Sequence, residues 1–192
     1  DLCGHATLAS AHIIFNHLNS AKKEIQFESR SGTLTVKKAN NLLVLNFPAS
    51  KISEVEIPNN LKDAFNLEPV KCVKGRDDLM LIYKNENEIR QLTPDFQKIL
   101  KSKTRGIICT AKSEKFDFVS RFFAPNCGVP EDPVTGSAHC TLVPFWAEKL
   151  NKTNLHALQV SNRGGELFCE LKKDSVKIRG AAVKYLQGRI KL

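Results

Sequence analysis

The chain has 192 residues, 42% hydrophobic and 26% charged, with 8 Pro and 10 Gly, a composition that excludes collagen-like, disulfide-scaffold and largely disordered classes. A length of 192 residues suits one or two compact domains. The net charge of +9 is spread over doublets (Lys22-Lys23, Lys37-Lys38, Lys172-Lys173) with no interleaved aromatic residues, which points to solvated turns and away from nucleic acid.

The first element in chain order is a helix over His5–Leu18, led by Gly4 and apolar on almost every side: Ala6, Leu8, Ala9, Ala11, Ile13, Ile14, Phe15 and Leu18. A helix without a polar face must be enclosed. Alternating segments follow, with Leu34 and Val36, then Leu43 and Leu45, and these read as strands that do the enclosing. Pro58 opens a short helix to about Phe65, and Thr93-Pro94-Asp95 marks the start of another that runs to Leu100. Met80–Tyr83, Ile107–Thr110 and Phe116–Phe123 read as strands. A second apolar helix, Ser137–Leu150, is again led by a glycine, Gly136, and the strand pattern returns at Val176 and Ile178.

The chain also resembles itself. Displaced by 133 positions, Gln26, Arg30, Gly32 and Leu34 lie over Gln159, Arg163, Gly165 and Leu167; displaced by 132, Gly4-His5-Ala6-Thr7 lies over Gly136-Ser137-Ala138-His139. The fold expected is therefore α+β, in two pseudo-symmetric halves, each a barrel-like sheet around a central helix, the first half incomplete. Residues 1–48 form the rest of the N-terminal half and 49–192 the C-terminal half, with the last strand pairing back onto the first half.

The six Cys include no Cys-x-x-Cys pair, and most sit in apolar segments, which suggests free, reduced thiols in a cytoplasmic protein. The five His lack zinc-ligand spacing: His12 and His17, five apart on one helix, are expected on different faces, so no metal site is expected. The stretch from Leu2 to Ala21 has no Asp, Glu, Lys or Arg, but it contains Gly4, Asn16, Asn19 and three His, and no basic segment precedes it. It is neither a membrane span nor a signal peptide.

A helix start carries backbone N–H groups without intrahelical partners and the positive end of the macrodipole, and so attracts carboxylate or phosphate. Two such starts facing one cleft would hold a small carboxylic acid for proton transfer at an adjacent carbon. Cys3 and His5 stand at the first; Glu131, Asp132, Thr135, Ser137 and His139 stand at the second. Asp132, Thr135 and Ser137 could equally cap the helix, and the sequence leaves capping and catalysis open. His12 and His139 lie inside their helices and read as packed imidazoles.

The segments Asp1–Ala9, Glu131–Cys140 and Gln159–Gly165 resemble the signature segments of the phenazine biosynthesis PhzF-like family, whose fold is that of diaminopimelate epimerase. The resemblance spans essentially the whole chain. It implies a cofactor-independent isomerase: the family's characterised enzyme isomerises a dihydro-hydroxyanthranilate by acid/base proton transfer. It implies catalytic roles for His5, Asp132 and Ser137, substrate contacts from Cys3, Gly4, Thr135 and Gly136, and a homodimer. Near-continuous apolar runs at Asn41–Phe47 and Phe116–Phe123, which need cover on both faces, give the dimer a separate motive.

The family's principal acid/base is a Glu upstream of the Gly-His motif, so the expectation is either a further segment before Asp1 or a natural fragment lacking that base. The second case would favour a catalytically silent scaffold of the same fold. The related epimerases use two Cys, one at each helix start; here Cys3 fits the first place and Thr135 occupies the second. A threonine hydroxyl cannot replace a thiolate base, which disfavours an amino-acid epimerase or racemase.

Overall fold

A computed structural model describes residues 4–18, 21–29, 32–40 and 42–189. Helix α1 (Gly4–His17) is followed by a meander of β1 (Glu24–Ser29), β2 (Gly32–Ala39) and β3 (Leu42–Pro48). The chain then forms β4 (Ser53–Val55), α2 (Asn59–Lys62), β5 (Lys71–Lys74), β6 (Asp78–Ile82), α3 (Glu86–Gln91), α4 (Phe96–Leu100), β7 (Gly106–Lys112) and β8 (Phe118–Phe123). A 3-10 turn at Pro125–Cys127 leads to α5 (Gly136–Leu150), β9 (Asn154–Gln159), β10 (Gly165–Lys172) and β11 (Ser175–Gly180).

The strands form one sheet in the order β1-β2-β3-β11-β10-β9-β8-β7-β6-β5-β4. Neighbours are antiparallel, except that β6 pairs with β7, and β8 with β9, in parallel. The last strand, β11, pairs with β3, and Leu45 lies opposite Ile178, its own counterpart 133 residues on. The pseudo-twofold relating the halves passes through that pair. β10 likewise begins and ends 133 residues after β2. The match of Gln26 with Gln159 does not survive: Gln26 faces Thr35, whereas Gln159 faces Gly165. The longer connection from Val160 to Gly164 moves β9 by three places relative to β1, so Gln159 stands where Ser29 stands in the first half.

Two apolar layers hold the sheet. On its inner face, α5 packs with Phe47, Met80, Ile108, Phe118, Phe122 and Ile178; on the outer face of β5–β8, α2, α3 and α4 supply Leu61, Ile89 and Ile99 against Leu81, Ile107, Cys109, Val119 and Phe123. Phe118 and Phe122 thus face one core while Val119 and Phe123 face the other. The strand expected to need a second subunit is covered on both faces by its own chain. The other run, β3, alternates between buried and more exposed residues as a strand with one face in the core does. Neither strand therefore supplies a motive for a dimer.

Several boundaries differ from the sequence reading for local reasons. α2 stops at Lys62, because Asp63 leaves helical geometry. Asp95, not Thr93, caps α4, its carboxylate accepting from the N–H groups of Gln97 and Lys98. α3 was not anticipated; Asn85 caps it by accepting from Glu88 N–H. His12 and His17 come together at the end of α1, with ring centroids 5.7 Å apart, contrary to the expected separate faces.

α5 carries a proline in its interior, Pro144. Proline cannot donate to the carbonyl four residues back, and here Ser50 N–H donates to that carbonyl, Cys140 O, at 2.9 Å. The segment after β3 is thereby fastened to α5 without an orphaned carbonyl.

Candidate active site at two helix starts

The chain leaves β8, makes the 3-10 turn and reverses at Gly128, whose φ of 76° is left-handed. It returns through Pro130–Pro133 to α5. Within that return the two adjacent acids face opposite duties. Glu131 accepts from Arg121 Nε at 2.7 Å and from its Nη2 at 2.9 Å, and Nη1 of the same guanidinium donates to Leu92 O at 2.7 Å and Ile89 O at 3.3 Å. This bidentate pair fastens the turn to the end of α3. Asp132 instead lines a cleft, its Oδ2 accepting from the Thr135 hydroxyl at 2.6 Å.

Gln159, fully buried at the end of β9, locks this arrangement. Its Oε1 accepts from Thr135 N–H at 2.8 Å, and its Nε2 donates to Asp132 O at 2.7 Å and to Thr135 Oγ1 at 3.2 Å. Ser161 Oγ donates to Pro133 O at 2.8 Å, and Gly165 lies so close to Val134 that any Cβ there would collide with it. The Gln159–Gly165 segment thus braces the Glu131–Thr135 turn.

Thr135 is the N-cap of α5, yet its side chain makes no capping bond. Its hydroxyl serves Asp132, while Ser137 Oγ accepts from Arg105. Neither hydroxyl caps α5. Among the described residues no side chain accepts from the first-turn N–H groups of α5.

The start of α1 meets that of α5. A Cβ on Gly4 would lie 3.3 Å from the Phe47 ring, tighter than side chains ordinarily pack, and 3.7 Å from Gly136 Cα, so the two helix ends lie in close approach. Gly4, His5, Asp132, Thr135, Gly136 and Ser137 all line a single cleft of about 180 Å³, together with Arg105 and Cys127. Cys3, the remaining expected contact, lies outside the described residues.

The ionisable residues just past the start of α5 are buried and do not line the cleft. His139 is fully buried, its Nδ1 2.8 Å from Thr135 O and its ring against Phe118, and burial lowers its pKa to about 4. Burial pushes the Cys140 thiol up to about 12. Four of the five described cysteines are buried, but Cys127 is exposed, and all five are free. Among the described residues no group of three or more His, Cys, Asp or Glu could hold a metal ion, and no helix is long and apolar enough to cross a membrane.

Sequence reasoning overlooked Gln159, Arg121 and Arg105 as parts of this site. Gln159 offered one usable signal, a polar residue at an inward position of an alternating strand. Arg105 and Arg121 offered none, because their partners are 27 and 10 residues distant in the chain.

The pattern of the phenazine biosynthesis-like proteins (PhzC-PhzF) matches residues 1–188. The chain belongs to this family. It is 48% identical over 191 residues to a Pseudomonas aeruginosa protein named as an uncharacterized isomerase, covering 100% of this chain and 73% of that one. A PhzF-family crystal structure from Enterococcus faecalis superposes with a TM-score of 0.94 at 39% identity, over 100% of this chain and 74% of that one. A hydroxyproline epimerase from Agrobacterium vitis shares the fold alone, with a TM-score of 0.57 at 11% identity, over 94% of this chain and 62% of its own. The fold is thus α+β with two pseudo-symmetric halves, and the Pseudomonas aeruginosa relative carries the name isomerase.

Proposed function

We propose that this phenazine biosynthesis-like protein is an isomerase that moves a proton on a small carboxylic acid held between the two helix starts, without a cofactor. The observation that carries the reading is the convergence of uncapped α5 amides, His5, Asp132 and Ser137 on one 180 Å³ cleft. Backbone N–H groups at the positive end of a helix suit a substrate carboxylate and the negative charge that grows when a neighbouring C–H proton leaves.

Asp132 and His5 are the proton carriers: one accepts the proton from carbon, and the other returns a proton at a second carbon, so that substrate and product differ only in its position. Ser137 holds the substrate oxygen. Gly4 and Gly136 present backbone to it. Thr135, with its N–H and hydroxyl already engaged, acts by aiming Asp132. That commitment also removes Thr135 as a base, so two-base epimerisation through this position has no support.

The test is solvent deuterium uptake into a panel of small amino and unsaturated carboxylic acids, read by mass spectrometry on the full chain. Asp132→Asn should retain the fold and lower uptake about a hundred- to ten-thousand-fold. Unchanged uptake would remove Asp132 from the mechanism.

A further inference from the structure

Arg105 stands between the cleft that holds His5, Asp132 and Ser137 and a wider groove of about 530 Å³ lined by Lys74, Arg76, Lys101 and Lys103. Its guanidinium is held firmly. Nε donates to Asp78 Oδ1 at 2.9 Å, Nη2 donates to Asp78 Oδ2, and the guanidinium carbon lies 5.6 Å from the centroid of the Phe122 ring. Asp78 is 3% exposed, so Arg105 cannot swing away without stranding a buried carboxylate.

Both terminal nitrogens of Arg105 also donate to Ser137 Oγ, each at 3.2 Å. A hydroxyl that accepts from a guanidinium keeps its own proton for another acceptor. Among the described residues none takes that proton, and Ser137 borders the cleft. We infer that Arg105 is a positioning residue that makes Ser137 an obligate hydrogen-bond donor toward an anionic oxygen in the cleft, so that the site selects a carboxylate over its neutral amide. The inference rests on the small-carboxylate reading of the same cleft.

Asp78 balances the charge of Arg105, so the pair exerts little attraction at a distance. Its effect passes through Ser137. The guanidinium fixes the direction of the hydroxyl and polarises its O–H bond, as charge-assisted hydrogen bonds in series do. A lysine in its place would keep the charge but lose the planar fork that reaches Asp78 and Ser137 together.

The test is a double-mutant cycle on the full chain, with benzoate as the probe and benzamide as its neutral counterpart, followed by amide shifts of Ser137 and His5. Wild type should bind benzoate at least tenfold more tightly than benzamide. Ser137→Ala and the paired change Asp78→Leu with Arg105→Met, which replaces a buried ion pair by apolar groups, should each weaken benzoate about tenfold, and together no further. Arg105→Lys, which leaves Asp78 a cation and so guards against loss of fold, should weaken benzoate as much as the paired change.

Losses that multiply, wild-type affinity in Arg105→Lys, or equal loss of benzamide binding would overturn the role of Arg105 while leaving the carboxylate site standing. Absence of benzoate binding to the folded wild type would overturn both.

Discussion

The helices α1 and α5 begin alike and end in different surroundings. Nine residues of α5 are buried, against Ala11 and Phe15 alone on α1. Positions 132 apart make the contrast local: Ile13 is 38% exposed where Phe145 is 6%, and Ser10 is exposed where Leu142 is fully buried. α5 packs against β3, β6, β9, β10 and β11, whereas α1 touches β2, β3 and α5. An apolar periodicity states what a helix can bury; the strands that reach it decide what it does bury. The cleft lies where the starts of the two helices touch.

The largest expected effect sharpens that contrast on the enclosed side. Phe145 packs edge-on to Trp146 at 5.3 Å, and Trp146 stacks on Phe118 and donates to Thr110 Oγ1 at 3.0 Å. Phe145→Ala should cost about 3–5 kcal/mol in urea unfolding, because the cavity lies among residues with no room to collapse. A loss under about 1 kcal/mol would mean that α5 is as loosely held as α1.

Much of this fold can be read from the residues, and what cannot be read has identifiable causes. The helices at Gly4 and Gly136 and the strands at Leu34, Leu43, Ile107 and Val176 follow from period and from glycine placement, and the meeting of the two helix starts follows from the internal repeat. Short elements such as α3 and β4 do not, since a few residues carry too little pattern, and α3 depends on Asn85 accepting from Glu88 N–H. The glycine-led helix starts point to a wider set, Glu131, Thr135 and His139 included, and only the resemblance of the segments to the family's singles out His5, Asp132 and Ser137. Arg105 and Gln159 reach the site by pairings with Asp78 and Thr135, far away in the chain; no local signal encodes the first, and only a polar residue at an inward strand position hints at the second.

The next effect is a pH dependence centred on a buried histidine of α5. His139 is neutral in the native state, with its pKa near 4, and unfolding exposes it to water, where imidazole titrates near 6.5. Between those values the unfolded chain binds a proton that the native chain refuses, so stability rises with pH. The contribution is fully present above pH 6.5 and is lost as pH falls toward 4, about 3 kcal/mol in all. His139→Gln should flatten the difference in urea midpoint between pH 6.5 and 4.5. A slope equal to that of wild type would show that His139 is not held neutral.

The smallest effect expected is on α1, and its smallness is the informative result. Ile13 is the counterpart of Phe145, yet over a third of its surface meets solvent. Replacing it with Ala removes partial burial worth about 1 kcal/mol and returns a few tenths through the higher helix propensity of Ala. The remainder is a loss of somewhat under about 1 kcal/mol, so Ile13→Ala should lower the stability of residues 1–192 by that amount, several-fold below Phe145→Ala. The pair of substitutions measures the asymmetry directly, because the two positions share helix geometry and place in the repeat, and differ in native side chain and surroundings. Equal losses at both positions would show that something encloses α1 as strands enclose α5, and the contrast between the halves would then vanish.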